Sequence, residues 1–231
     1  MAASCGDARG TRLRAGQGEL FYADGFPEPE AQALMAFLRD SLQFFSDRPI
    51  TVLVDRTLTP SSGEVEYYTL KMVCETGKEN DADFRKSALA VSRMVSEQVF
   101  GDRPVHFLFV NDRLETKGNV PFSPLGKRHR AGGLTVYAAD GVGDAAALAF
   151  AQKAAEQAFM PREAIFRLRS DSALYISCLA GPDMLGDSVL RTQMIGFVQS
   201  SLPLFEERPA AYMEFSDFVF EPLESVRLTP H

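Results

Sequence analysis

The sequence predicts an α+β protein built from two tandem copies of one βαββαβ module, and three observations carry that reading. A signature recurs: Phe45-Ser46-Asp47-Arg48-Pro49-Ile50 returns as Phe100-Gly101-Asp102-Arg103-Pro104-Val105, more loosely as Phe159-Met160-Pro161-Arg162-Glu163-Ala164, and again as Phe205-Glu206-Glu207-Arg208-Pro209-Ala210. Each copy closes a helical pattern and opens a strand pattern. The interval from Arg48 to Arg162 is close to that from Arg103 to Arg208, and self-similarity of this kind marks a repeated structural unit. Between the halves, residues 112–133 carry Gly118, Pro121, Pro124, Gly126, Gly132 and Gly133 without sustained periodicity, the composition of a linker.

The elements follow in order. Residues 19–24 are short and aromatic, as strands are, and Gly25, Pro27 and Pro29 end them. Leu34, Phe37, Leu38, Leu42 and Phe45 share one helical face, which predicts a helix over 31–45. Arg48-Pro49 stops it, because proline cannot donate to the helical ladder and biases its predecessor towards extended geometry. Residues 50–54 then form a strand, and the turn cluster 59–63 pairs it with 65–74 in a hairpin. Phe84, Ala88, Val91, Met94, Val95 and Val99 give a second helix, and 105–110 a fourth strand. Two βαβ halves joined by a hairpin make the split arrangement called ferredoxin-like, an antiparallel sheet with helices on one face.

Beyond the linker the order repeats. A strand at 134–139, a helix at 144–159, strands at 165–169 and 174–179, a helix at 187–202 and a strand at 211–218 give a second ferredoxin-like module. The domains are thus a disordered tail over 1–18, modules over 19–111 and 134–219, the linker over 112–133, and a C-terminal tail over 220–231. Modules of this kind leave one sheet face bare, and the space between the two is where a ligand is expected.

Composition excludes several classes. Of 231 residues, 45% are hydrophobic and 24% charged, which rules out disorder along the whole length. The net charge of -7 argues against nucleic acid as the main partner. No apolar run approaches the length of a membrane span, and the arginines of the first residues lack an apolar stretch behind them, so a cytoplasmic protein is expected. Cys5, Cys74 and Cys178 are odd in number and unpaired in spacing, which suggests neither disulfides nor a zinc site. Cys74 and Cys178 lie in apolar strand patterns and read as buried thiols.

Candidate site residues are few. Arg48, Arg103 and Arg208, with the looser copy's Arg162, lie after helix ends, where a cation suits the negative end of the dipole; alternatively they gather to bind an anion. Lys127-Arg128-His129-Arg130, flanked by glycines, is the dense positive run of an acidic chain. It reads as a solvated linker, or else as an anion contact, without the spacing of a P-loop. Of three histidines, His106 alone lies within a strand and could serve a site on a sheet face. No HExxH, GxSxG or GxGxxG pattern occurs, so no catalytic residue, metal site or cofactor is assigned. The sequence therefore predicts a non-catalytic interaction protein, such as a regulator, assembly subunit or immunity-type binder, with a protein partner. The alternative is a small enzyme or ligand sensor of the tandem α+β barrel type, holding its ligand between the modules. Edge strands are compatible with a homo-oligomer.

Overall fold

The computed structural model describes residues 10–44, 49–205 and 210–229. The chain divides into two compact units, Met1–Pro124 and Leu125–His231. The first unit runs β1 (Thr11–Ala15), β2 (Gly18–Tyr22), α1 (Glu28–Asp40), β3 (Thr51–Leu58), β4 (Val65–Val73), α2 (Ala82–Gln98), β5 (Val105–Val110) and β6 (Thr116–Val120). Its six strands lie side by side in chain order. The hairpins β1/β2, β3/β4 and β5/β6 are antiparallel, while β2/β3 and β4/β5 are parallel pairs, each bridged by a helix.

Local chemistry sets the helix ends. Pro27 precedes α1, whose first turn holds Glu28 and Glu30 and whose last turn holds Arg39, matching both ends of the helix dipole. The Asp81 carboxylate caps α2 by accepting the N–H groups of Asp83 and Phe84, each at 3.1 Å. After α2 the second signature copy turns through Gly101 and Asp102, both at positive φ (61° and 67°). The Ser96 hydroxyl then donates to the Arg103 carbonyl at 2.6 Å, so the signature is a helix stop tied back onto its own helix.

Alternation decides the core. Leu20, Val52, Val54, Leu70, Phe107 and Phe109 point to the side where α1 and α2 supply Leu34, Leu38, Ala88 and Val95. Tyr68 lies in this layer, 4% exposed, its ring stacked on Phe100 at 3.7 Å and its hydroxyl donating to Glu30 at 2.9 Å. Burial first, and the Glu30 carboxylate second, push the phenol up to about 12. An unfolded tyrosine titrates near 10. The neutral phenol therefore stabilises the fold fully below pH of about 10, and that contribution is lost as pH rises towards about 12. Urea midpoints between about pH 9 and pH 11 should fall more steeply for the wild type than for Tyr68→Phe; parallel curves would refute this account of the phenol.

The second unit repeats the plan with β7 (Lys127–Ala131), β8 (Leu134–Ala138), α3 (Asp144–Ala155), β9 (Ile165–Ser170), β10 (Leu174–Leu179), α4 (Pro182–Gly186), α5 (Ser188–Ser201), β11 (Ala211–Ser216) and β12 (Pro222–Leu228). Again the six strands are in chain order, with the same alternation of antiparallel hairpins and parallel pairs. Its core joins Val136, Phe166, Leu168, Ile176, Cys178, Met213 and Phe215 to Phe150, Met194 and Phe197 of the helices. Glycines stand at matching places in the two units: Gly10 and Gly126 precede the first strand, Gly16 and Gly132 turn the first hairpin, and Gly25 and Gly141 follow the second strand, all at positive φ. At Gly10 and Gly126 a Cβ would lie 2.2 Å from the carbonyl oxygen of the last residue of the second strand, Tyr22 or Ala138.

The mixed α+β class and the helix layer on one face are as the sequence predicts. The strand order is different. In a split βαβ an antiparallel strand separates the two parallel ones, whereas here β2 and β3, like β4 and β5, are direct neighbours. The strands advance one way while their sense reverses at β3/β4. Two helices on one face then require crossovers of opposite hand, a departure from the usual right-handed rule.

The stretches read as tail and linker carry strands: β1 lies within 1–18, β6 and β7 within 112–133, and β12 within 220–231. All four are sheet edges, rich in exposed and charged positions such as Arg12, Arg14, Lys117, Lys127, Arg130 and Arg227. Charged edges deter stray pairing, and the same charges hide a strand from a reading based on apolar periodicity. Among the described residues no helix is long and apolar enough to cross a membrane.

Candidate functional site

On the second sheet, strict alternation separates two faces. Leu134, Val136, Ala138, Phe166, Leu168, Ile176, Cys178, Met213 and Phe215 meet the helices. Their neighbours in sequence therefore point to the opposite, helix-free face. Register aligns those neighbours in rows across the strands. One row runs Arg128, Tyr137, Arg167, Ser177, Glu214, Ser225, and the next runs Arg169, Tyr175, Tyr212, Arg227. At the far end of this face Leu125, Tyr137 and Phe220 pack with Ile165 and Leu179 as a small apolar cluster. Ser216, also on this face, is fully buried, and its hydroxyl has no hydrogen-bond partner among the described residues.

The second row is a stacked assembly. The Arg169 guanidinium lies 4.3 Å from the Tyr175 ring centroid, and Tyr175 stacks on Tyr212 at 5.3 Å with 13° between planes. In the first row Glu214 is 5% exposed, accepts the Ser177 hydroxyl at 2.6 Å, and faces Arg169 at 3.9 Å. A carboxylate so buried is tolerated only because donors and cations meet it. Arg167 donates through Nε to the Leu125 carbonyl at 3.2 Å. Burial, then the like charge of Arg169, pull its guanidinium below the ordinary value, while Glu214 and Asp140 oppose them; an arginine still stays a cation at neutral pH. The helix-free strand positions of this sheet thus hold Arg128, Arg130, Arg167, Arg169 and Arg227 against Glu214 alone among the described residues.

Comparison with family models, with curated proteins and with solved structures found no match. The chemistry of the face is consequently the guide to function. Among the described residues no group of three or more histidine, cysteine, aspartate or glutamate side chains is placed to hold a metal ion. The helix-free strand positions of this sheet carry no histidine, and Glu214 has one oxygen committed to Ser177 and the other turned to Arg169.

The residues singled out from the sequence are dispersed. The basic run 127–130 is the edge strand β7, not a loop, and alternation splits it. Lys127 and His129 turn to the helix side, where both meet Asp144, His129 Nε2 lying 3.3 Å from Oδ1 but outside hydrogen-bond geometry. The Lys127 hydrogen bond chiefly holds the Asp144 carboxyl below its usual range, and the charges of Lys127 and His129 add to it. Arg128 and Arg130 turn to the helix-free face. Arg103 donates to the Val65 carbonyl, fastening the signature turn to β4. Arg162 lines a recess of about 410 Å³ with Gly132 and Pro161. A recess of about 270 Å³ sits at the matching place in the first unit, beside Gly16 and Pro49. Arg48 and Arg208 lie outside the described residues.

His106 accepts the Phe122 N–H through Nδ1 at 3.3 Å, with the Tyr67 ring edge-on at 4.8 Å. It is a satisfied histidine on the first sheet. Cys178 is fully buried, and burial pushes its thiol up to about 12, far from the reactive thiolate. The residues that sequence reasoning passed over are Arg167, Arg169, Tyr175, Ser177, Tyr212, Glu214 and Arg227. Their signal was the alternation itself. In Ile165-Phe166-Arg167-Leu168-Arg169 and Ala211-Tyr212-Met213-Glu214-Phe215 the polar residues fall on one parity, but only strand order shows that those parities share a face.

Proposed function

We propose that the protein is a non-catalytic binding protein whose contact surface for a protein partner is the helix-free face of the second sheet. One observation carries the reading: arginines and tyrosines meet in a single row there, as Arg169, Tyr175, Tyr212 and Arg227. Arginine and tyrosine are the residue types that dominate binding hot spots. Rings already held in a stack lose little freedom when a partner docks, which favours affinity. The matched glycines and identical strand plan support descent of both units from one duplicated module, the second copy having specialised. A regulator or assembly subunit fits this arrangement.

A photo-crosslinking amino acid placed at Tyr212 of the full chain, in cells that make the protein, tests the reading. Position Leu148, 40% exposed on α3, is the control. Discrete protein adducts from position 212 and none from 148 are expected. The reading falls if neither position captures a protein, or if a substrate screen finds turnover that Ser177→Ala abolishes.

A further inference from the structure

We infer that the segment recognised by this face is an acidic, extended stretch of a partner protein, an inference that rests on the binding role proposed above. Charge complementarity is the first argument. The chain carries a net charge of -7, yet the helix-free strand positions of its second sheet include five arginines and one carboxylate, Glu214, which faces Arg169. Lysine is absent from those positions, and guanidinium groups differ from ammonium groups in matching carboxylates with paired, directional donors.

Ring geometry is the second argument, and it separates an acidic protein segment from a nucleic acid. Single strands bind by laying bases on exposed aromatic faces. Here Tyr175 and Tyr212 face each other, and Arg169 covers a face of Tyr175. Side chains stand roughly perpendicular to a sheet, so with both faces of Tyr175 and one face of Tyr212 covered the stack offers mainly ring edges and hydroxyls. Hydroxyls and guanidiniums are donors for carboxylates. The negative net charge further opposes a long phosphate backbone.

Spacing gives the third. Arg169 and Arg227 stand on β9 and β12, three strand intervals apart, which is about 14 Å. An extended chain covers that distance in about four residues. Carboxylates at positions i and i+4 of a segment crossing the strands would reach the two arginines, with the central residue, i+2, over the tyrosine pair.

Fluorescence anisotropy on the full chain tests this with three labelled probes: a Thr/Val-rich decapeptide bearing glutamates at i and i+4, its lysine counterpart, and a single-stranded oligothymidylate of similar length. The acidic peptide should bind, weaken as salt rises, and lose about tenfold or more in affinity in Arg169→Glu/Arg227→Glu. The lysine peptide should not bind. Arg227→Gln, at an exposed edge position, serves where the double variant fails to fold, and should give a smaller loss in the same direction. The inference is overturned if the acidic peptide shows no binding up to about millimolar concentration, if the lysine peptide binds equally, or if folded arginine variants bind unchanged. Tighter, arginine-dependent binding of the oligonucleotide would also overturn it, in favour of a nucleic acid. Crosslinks from position 212 that persist while the acidic peptide fails would remove this inference alone; loss of both would remove the binding role as well.

Discussion

Phe150→Ala should lower the stability of the second unit by about 3 to 5 kcal/mol, the range for truncating a fully packed phenylalanine. Phe150 is wholly buried on α3, its ring centroid 5.3 Å from Phe166 and from Phe197 and 6.0 Å from Phe205. It thus joins β9, α5 and the turn after α5. Those neighbours belong to three different elements, so collapse around the missing ring would have to move all of them, and most of the cavity should persist. A domain is stable by only about 5 to 15 kcal/mol, which makes the expected loss a large share. Urea unfolding followed by circular dichroism checks it, with Leu148→Ala on the same helix, 40% exposed, expected to change stability by no more than about 0.5 kcal/mol. A Phe150→Ala loss below about 1 kcal/mol would mean that the aromatic cluster is not the centre of this core.

Gly141→Ala should cost about 3 kcal/mol or more, and its counterpart Gly25→Ala only about 1. Both glycines sit at nearly the same backbone angle, φ of 82° and 83°, so the penalty for an L residue in the left-handed region is common to both. They differ in what surrounds the added carbon. At Gly25 no atom of the described residues lies within 4 Å of the added carbon, whereas at Gly141 the Cβ would stand 1.9 Å from the Ser170 carbonyl oxygen and 2.9 Å from its carbonyl carbon. Relief would require β9 to move away from the turn that opens α3, where the Ser170 N–H also donates to the Asp140 carbonyl at 3.2 Å. The difference between the two variants therefore isolates the clash from the backbone preference. Equal losses would show that the corner yields freely.

Much of the architecture was legible in the residue pattern, and the reasons are local. Phe84, Ala88 and Val95 recur at helical spacing because one face of α2 must be apolar, and Leu174-Tyr175-Ile176-Ser177-Cys178 alternates because one face of β10 meets the helices. The edge strands were not legible. Lys127-Arg128-His129-Arg130 looks like a loop until its partner Leu134–Ala138 supplies the hydrogen bonds that make it a strand. The candidate site was half legible: Arg128 and Arg130 stood out as charge in an acidic chain, but Arg169 and Arg227 are far apart in sequence, and no spacing rule joins them to Tyr175 and Tyr212.

The sequence alone determined which segments form the long helices, which residues are apolar on which parity, and that one plan occurs twice, because each of these depends on neighbours a few positions away. It did not place the helix ends, since α1 stops at Asp40 and α3 at Ala155, short of the expected 45 and 159. Tertiary structure decided the order of the strands, and with it the row of arginines and tyrosines. Pairing between strands is made by backbone groups that every residue carries alike, so side-chain pattern constrains which face is buried far more than it constrains which strand lies next to which.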